Sequence, residues 1–340
     1  MYLQKLVKNT NLVNFRNIRY LHSFSDKHTG NSKTDVREML EKVKSNSIQD
    51  LISEIVPNNI IADKIKYFPE LSEQNAIKNM TEIVDKNIIK KNLIGLDFND
   101  TILPPILQRK ILENPKWYTS YTPYQSEISQ GRLEAQFNFQ TLITELTGMD
   151  VSNISLLDSG SAATEALNMS YTISKGKRKT FFCCDTIHPV ILDILSTRAK
   201  TLDITLIIDD PKNIIITDDL FGFMFSYTDR YGTINNDLKL HNKLKENNTI
   251  ISCHANLMSL LLLKSPMELG ANISFGTAQN FGIPLWCGGP HPAFFATSKE
   301  YIRLVPGRII GKSIDSENKE CYRISLQTRE QHIRKEKATS

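Results

Sequence analysis

The sequence predicts an α/β fold, a mostly parallel seven-stranded sheet flanked by helices and preceded by a helical arm. From Ile128 onward, strand-length apolar runs recur, most of them separated by stretches of helical period. The runs are apolar almost throughout, the pattern of strands covered on both faces. The arm differs in kind. From Lys33 to about Lys91 the chain is rich in charge, helical in period and poor in large apolar residues.

Along the arm, VREMLEKV and DLISEIV are amphipathic. LSEQNAIKNMTEIVDK opens on Ser72, three residues before Asn75, the spacing of a side-chain cap. Pro104 and Pro105 begin PPILQRKILENP, a short helix ended by Asn114 and Pro115. SQGRLEAQFNFQTLITELTG reads as a helix with Ser129 as N-cap and Gly148 closing its C-terminus. The expected strands follow as ISLLD, KTFFCC, ITLIID, FGFMFSY, TIISCHA, ANISFGT and AFFAT. Helices SAATEALNMSYTI and HPVILDILSTRAK lie between them, and Gly288, Gly289 and Pro290 turn the chain into AFFAT. The expected layout is a leader over 1–25, the arm over 26–100 and a large α/β domain over 101–300. Residues 301–340 would begin a further C-terminal segment.

At 340 residues and 40% apolar side chains the chain can bury one large core, and no run is apolar enough to span a bilayer. A net charge of +4, from 41 basic and 37 acidic residues, gives no argument for a nucleic-acid partner. The five cysteines (Cys183, Cys184, Cys253, Cys287, Cys321) are odd in number and lack CxxC spacing. That disfavours a disulfide framework or a metal site and favours a reducing compartment. The first twenty-five residues hold Lys5, Lys8, Arg16 and Arg19 and no acid before Asp26. On a helix these cations fall within an arc of roughly 80°, opposite Leu3, Leu6, Val7, Val13, Ile18 and Leu21. An amphipathic, basic, acid-free leader reads as a mitochondrial transit peptide; the alternative is a basic tail.

Several segments carry candidate chemistry. In LLDSGSAATEA (Leu156–Ala166), Ser159, Gly160 and Ser161 form a turn into a helix whose first amides could hold a phosphate. The plainer reading is a capped helix, with Ser159 or Ser161 as N-cap and Gly160 turning the backbone. TPYQSEISQGRLE places Thr122, Tyr124, Gln125, Glu127, Gln130, Arg132 and Glu134 around a loop-to-helix junction, either a cleft or interface wall or a self-contained network. QTREQHIRKEKATS carries Arg329, His332 and Lys337 in a basic stretch, either a cleft lining for an anionic substrate or a solvated helix.

Three long blocks, YTPYQSEISQGRLEAQFNFQTLITELTGMD (121–150), FGTAQNFGIPLWCGGPHPAFFAT (275–297) and ISLQTREQHIRKEKATS (324–340), resemble the amino-terminal half of the glycine decarboxylase family, the P-proteins of the glycine cleavage system. The resemblance runs from about Asp26 to the last residue. It implies the fold-type I architecture of pyridoxal-phosphate enzymes and a location in the mitochondrial matrix. It further implies decarboxylation of glycine, with the aminomethyl group passed to the lipoyl arm of the carrier H-protein, and a dimeric assembly. Aligned on Phe281, Gln279 stands at the position of the cofactor-bearing lysine, and Asn256 stands where a carboxylate faces the pyridine nitrogen. A glutamine cannot form a Schiff base. Lys264, after an apolar helix, and Lys299 read as solvent-facing rather than as substitutes. Ser159 stands where the family carries Glu, so the turn reads as a vestigial phosphate site. In IGLDFNDTILPP (94–105), Asp97, Phe98 and Asn99 replace a Gly-Tyr-Tyr loop, so the tyrosine hydroxyls are gone.

The resemblance therefore implies a lysine-less half, inactive alone, whose pyridoxal phosphate sits on a lysine-bearing half or subunit. Three readings stay open: a piece of a longer decarboxylase, which the end inside a motif favours; a separate non-catalytic subunit; or a decayed pseudoenzyme with a binding or structural role. Another pyridoxal-phosphate enzyme would need a lysine that is missing.

Overall fold

The structure, a computed structural model, describes residue 28 and residues 30–62, 71–93, 95–119, 121–286 and 288–325. The leader and the basic stretch with Arg329, His332 and Lys337 lie outside the described residues. Two compact units result, one ending at Lys91 and one starting at Asn92. The first holds α1 (Lys33–Lys42), α2 (Ile48–Ile55) and α3 (Glu73–Val84). Ser32 and Asp35 cap α1 reciprocally, Ser47 caps α2, and Ser72 accepts from the Asn75 amide at 3.3 Å. None of the three helices buries a residue, and Ile52, Ile55, Ile77, Met80 and Ile83 are exposed.

The second unit is built on the sheet. After a single turn (Pro105–Leu107) widening into a π-type turn (Gln108–Leu112) comes α4 (Gln130–Thr147), closed by Gly148 at φ +71°. There follow β1 (Val151–Ser152), α5 (Ser159–Ile173), β2 (Thr180–Cys184), α6 (Pro189–Thr201), β3 (Thr205–Asp209) and β4 (Leu220–Ser226). Then come α7 (Leu238–Glu246), β5 (Ile250–His254), β6 (Ile273–Thr277), β7 (Ala293–Thr297), β8 (Ile309–Ile314) and β9 (Glu320–Ser325). The seven-stranded sheet has the order β1-β7-β6-β5-β4-β2-β3. Strands β2 to β6 pair in parallel, β7 runs antiparallel to β6, and β1 antiparallel to β7.

Alternation along the strands sends apolar rings to both sides. Phe181, Phe275 and Phe295 pack under α5 and α6 with Leu167, Ile191 and Leu195. Phe182, Phe223, Phe225 and Phe294 pack on the other face with Ile143 of α4 and Leu244 of α7. Fully burying such a side chain contributes roughly 1.5–3 kcal/mol, so the central strands are the most firmly held part of the molecule.

Six expectations are corrected. ISLLD is not a strand: β1 ends at Ser152 and only Leu156 bridges to Ala293, because Asp158 leaves the sheet to cap α5. That cap is Asp158, whose Oδ1 accepts from the Ser161 amide, not Ser159 or Ser161. Nor is Gly160 a turn residue; it lies within α5, where an added Cβ would meet the Ile194 δ-methyl. Ser129 makes no side-chain cap, because its Oγ accepts from Arg132 instead. Burial on both faces fails at the edge strand β3, where Ile207 and Ile208 are exposed, and the segment before Lys264 is only a short 3-10 turn (Ser259–Leu261). The hairpin β8–β9 was not foreseen; it packs Ile310 and Ile324 against Leu133 of α4.

Candidate functional site

The parallel strands β4 and β5 end on Ser226 and His254, and the β6–β7 connection supplies Gln279 and His291. Ser159 opens α5, and His188 precedes α6. Over this end of the sheet folds the loop 95–101. Gln279, fully buried, clamps it through the backbone: Nε2 donates to the Asn99 carbonyl at 2.6 Å and Oε1 accepts from the Asn99 amide at 3.1 Å. The Asn99 side chain donates to Asn280 and Thr101 donates to the Ile283 carbonyl, both at 2.9 Å. Phe98 lies against the His291 ring, centroids 4.5 Å apart.

The loop bends inward through Leu96 at φ +57° and Asp97 at φ +71°, a left-handed pair that costs L-residues about 1–2 kcal/mol each. What it delivers is the Asp97 carboxylate. Ser159 Oγ donates to Asp97 Oδ2 at 3.0 Å, and His291 Nε2–H donates to the Asp97 carbonyl at 2.9 Å. Ser226 gives its one hydroxyl proton to the Thr228 carbonyl, so its Oγ accepts from His254 Nδ1–H at 2.9 Å. That leaves His254 Nε2 aimed at Asp97 Oδ2, 3.5 Å away and with no other partner. Protonated, His254 forms an ion pair with Asp97, and His291 Nε2 lies 3.7 Å from the same oxygen. Burial pushes the Asp97 carboxyl up; the facing His254, with the charges of His188 and His291, outweighs it and holds the group below the ordinary carboxylate value. Burial pushes His188 the other way, below the ordinary imidazole value.

The other candidates play quieter parts. Asn256 forms a local turn, its Oδ1 accepting from the Met258 amide and its carbonyl from Ser259 Oγ. Gln130 binds both backbone groups of Tyr322 at 2.8 Å, sealing the hairpin onto α4. Arg132 donates to the Tyr121 carbonyl and Ser129, and Tyr124 stacks with Arg308. These three thus serve a network within the chain. Thr122 is half-buried, with its carbonyl accepting from the Tyr124 amide, while Gln125, Glu127 and Glu134 are exposed. Lys264 and Lys299 are exposed. Sequence reasoning reached Gln279 but missed His254, His291, His188 and Ser226. The available signal was a histidine ending the otherwise apolar strand IISCH.

The fold is that of a fold-type I α/β domain. A glycine decarboxylase P-protein in inhibitor-bound form superposes with a TM-score of 0.83 at 27% identity, covering 92% of this chain and 72% of that one. A sphingosine-1-phosphate lyase from Burkholderia pseudomallei shares the fold alone, with a TM-score of 0.52 and 10% identity over 82% of this chain and 74% of the other. The family model for the glycine cleavage system P-protein matches residues 26–340, and the chain belongs to that family. The glycine dehydrogenase (decarboxylating) of Synechocystis sp. is 44% identical over 319 residues, and that of a Nostoc sp. 46% over 321. Each match covers 94% of this chain but only 32% and 33% of those relatives, so the chain spans about a third of their length.

The family implies pyridoxal phosphate, and the residues here do not fit it. Position 279 offers an amide already engaged by Asn99, and the loop bearing Asp97 fills the end of the sheet. A phosphate placed beside Ser159 would meet the Asp97 carboxylate, charge against like charge.

Proposed function

We propose that this chain is the lysine-less half of a glycine decarboxylase within the glycine cleavage system. It would serve as the wall and scaffold beside a lysine-bearing half that holds the pyridoxal phosphate. What supports the reading is identity of about 45% along 94% of the chain, together with a buried Gln279 that we place at the position of the family's lysine. In that role the partners are the catalytic half, in a dimeric assembly, and the lipoyl-bearing H-protein. Gln125, Glu127 and Glu134, exposed at the start of α4, remain candidate contacts, with Arg329, His332 and Lys337 beyond the described residues. The matrix is the proposed compartment: the family match begins at residue 26, directly after the acid-free basic leader.

The test is reconstitution. The chain alone should show no glycine-dependent exchange of carboxyl carbon with bicarbonate, whereas purification from its source should bring a lysine-bearing P-protein sequence, on the same polypeptide or a second one, and that activity. Blotting with an antibody against 121–150 separates the two arrangements, since a band far above 38.7 kDa means one longer polypeptide. Purification with no such sequence and no activity would leave the second reading, a pseudoenzyme with a structural role. The Asp97 loop and Asn256 favour that alternative.

A further inference from the structure

The Asp97 centre has the chemistry of an oxyanion cup. Two imidazoles (His254 and His291) and the Ser159 hydroxyl face one carboxylate at the start of a fifteen-residue helix, with the His188 ring edge-on to His254, centroids 6.0 Å apart. The helix terminus alone would mean little, because Asp158 already caps it. The independent observation is His254, whose side chain is 5% exposed and whose Nε2 is aimed at the cup with no hydrogen-bond partner. A buried nitrogen without a partner calls for one, and in the protonated ring it is a donor aimed at an anion. The anion present is the chain's own, brought in by a backbone bend that L-residues resist and locked by Gln279 through Asn99.

We infer that this half carries a self-occupied oxyanion site: Asp97 is its resident ligand, and the loop closes the cup to a phosphate group independently of the missing lysine. Restoring lysine at position 279 therefore does not restore cofactor binding. Removing the Asp97 carboxylate frees the cup for an oxyanion of phosphate size, whether inorganic phosphate or the phosphate of a pyridoxal cofactor. Asp158 stays engaged with the Ser161 amide and is the one acidic side chain left at that helix start.

The experiment is equilibrium dialysis of the full 340-residue chain against labelled inorganic phosphate and, separately, pyridoxal phosphate. The wild type, Gln279→Lys, Asp97→Ala, Asp97→Asn and Asp97→Ala/Gln279→Lys are compared, with circular dichroism confirming the fold of each. The wild type and Gln279→Lys are expected to retain neither ligand. Loss of the like charge should raise phosphate affinity by at least about tenfold in the Asp97 variants, charge-assisted hydrogen bonds being the strong ones. The double variant should hold pyridoxal phosphate through dialysis, fixed irreversibly by borohydride. Asp97→Asn keeps the shape of the loop and decides the matter if Asp97→Ala does not fold. Stoichiometric pyridoxal phosphate on Gln279→Lys with Asp97 intact would overturn the inference. So would a folded Asp97→Asn with no more phosphate affinity than wild type. The readout is binding by the chain alone, so it does not depend on whether a catalytic half exists.

Discussion

Gln279 is the residue on which both sequence and structure turn, for different reasons. In the sequence it stands where the resemblance puts the family's lysine; in the fold it is a clamp whose amide satisfies both backbone groups of Asn99. Gln279→Ala leaves that donor and acceptor without partners, which should cost about 1–3 kcal/mol. Asn99→Ala is the control: the backbone pair survives and only the bond to Asn280 is lost, so its effect should be well under half as large. Urea unfolding measures both, as midpoint shifts at constant slope. Equal effects would mean that the clamp holds nothing. Gln279 was picked out in the sequence because a motif surrounds it. The pairing of Asp97 with His254 was not, because the two lie in segments that only the folded sheet brings together. The loop therefore read as a loss of tyrosines at Phe98 and Asn99 rather than as the gain of a buried charge at Asp97.

Among the elements, strands buried on both faces were the readable ones, since a continuous apolar run such as FGFMFS has few other places to go. The misses came where burial is one-sided. The hairpin β8–β9 hides only Ile309, Ile310 and Ile324 among its strand residues and is otherwise polar or partly exposed, so no long apolar run announces it. Its attachment depends on α4, where Gln140, 7% exposed, donates to the Ile310 carbonyl at 3.0 Å and accepts from the Ile310 amide at 2.7 Å. Two strands alone are marginally stable in water. Replacing Gln140 by Leu strands that buried pair at a cost of about 1–3 kcal/mol. Hydrogen exchange should then accelerate across 309–325 while β4 and β5 keep their protection. If exchange rises equally in the central strands, the hairpin and sheet form one cooperative unit and the prediction fails.

At the scale of the whole molecule, the buried ionisable groups fix the shape of stability against pH. His188 and His241 are both lowered from 6.5, first by burial, and Asp97 is lowered from 3.8. For each of them the unfolded chain binds protons more readily than the fold. Their contributions are therefore complete above the unfolded values and are lost on acidification, the histidines below about pH 6.5 and Asp97 only in the carboxylate range. Facing His188 are Asp97, His254, Arg230 and Asp229, and facing His241 are Asp237 and Lys245; in neither case do the acids reverse the direction. The thiols set the other limb. Burial drives Cys183, Cys184 and Cys253 well above 9.0, so above that pH only the unfolded chain releases their protons and stability falls again. The thermal midpoint should thus form a plateau between about pH 7 and 9 and decline on both sides. Cys253→Ala should lower the plateau, through the small cavity it leaves, yet flatten the alkaline limb. That limb separates titration from packing, because a lost contact lowers the curve at every pH while a lost proton site changes only its slope. A midpoint that climbs between pH 7 and 5, or an alkaline limb unchanged by Cys253→Ala, would falsify this assignment of the buried groups.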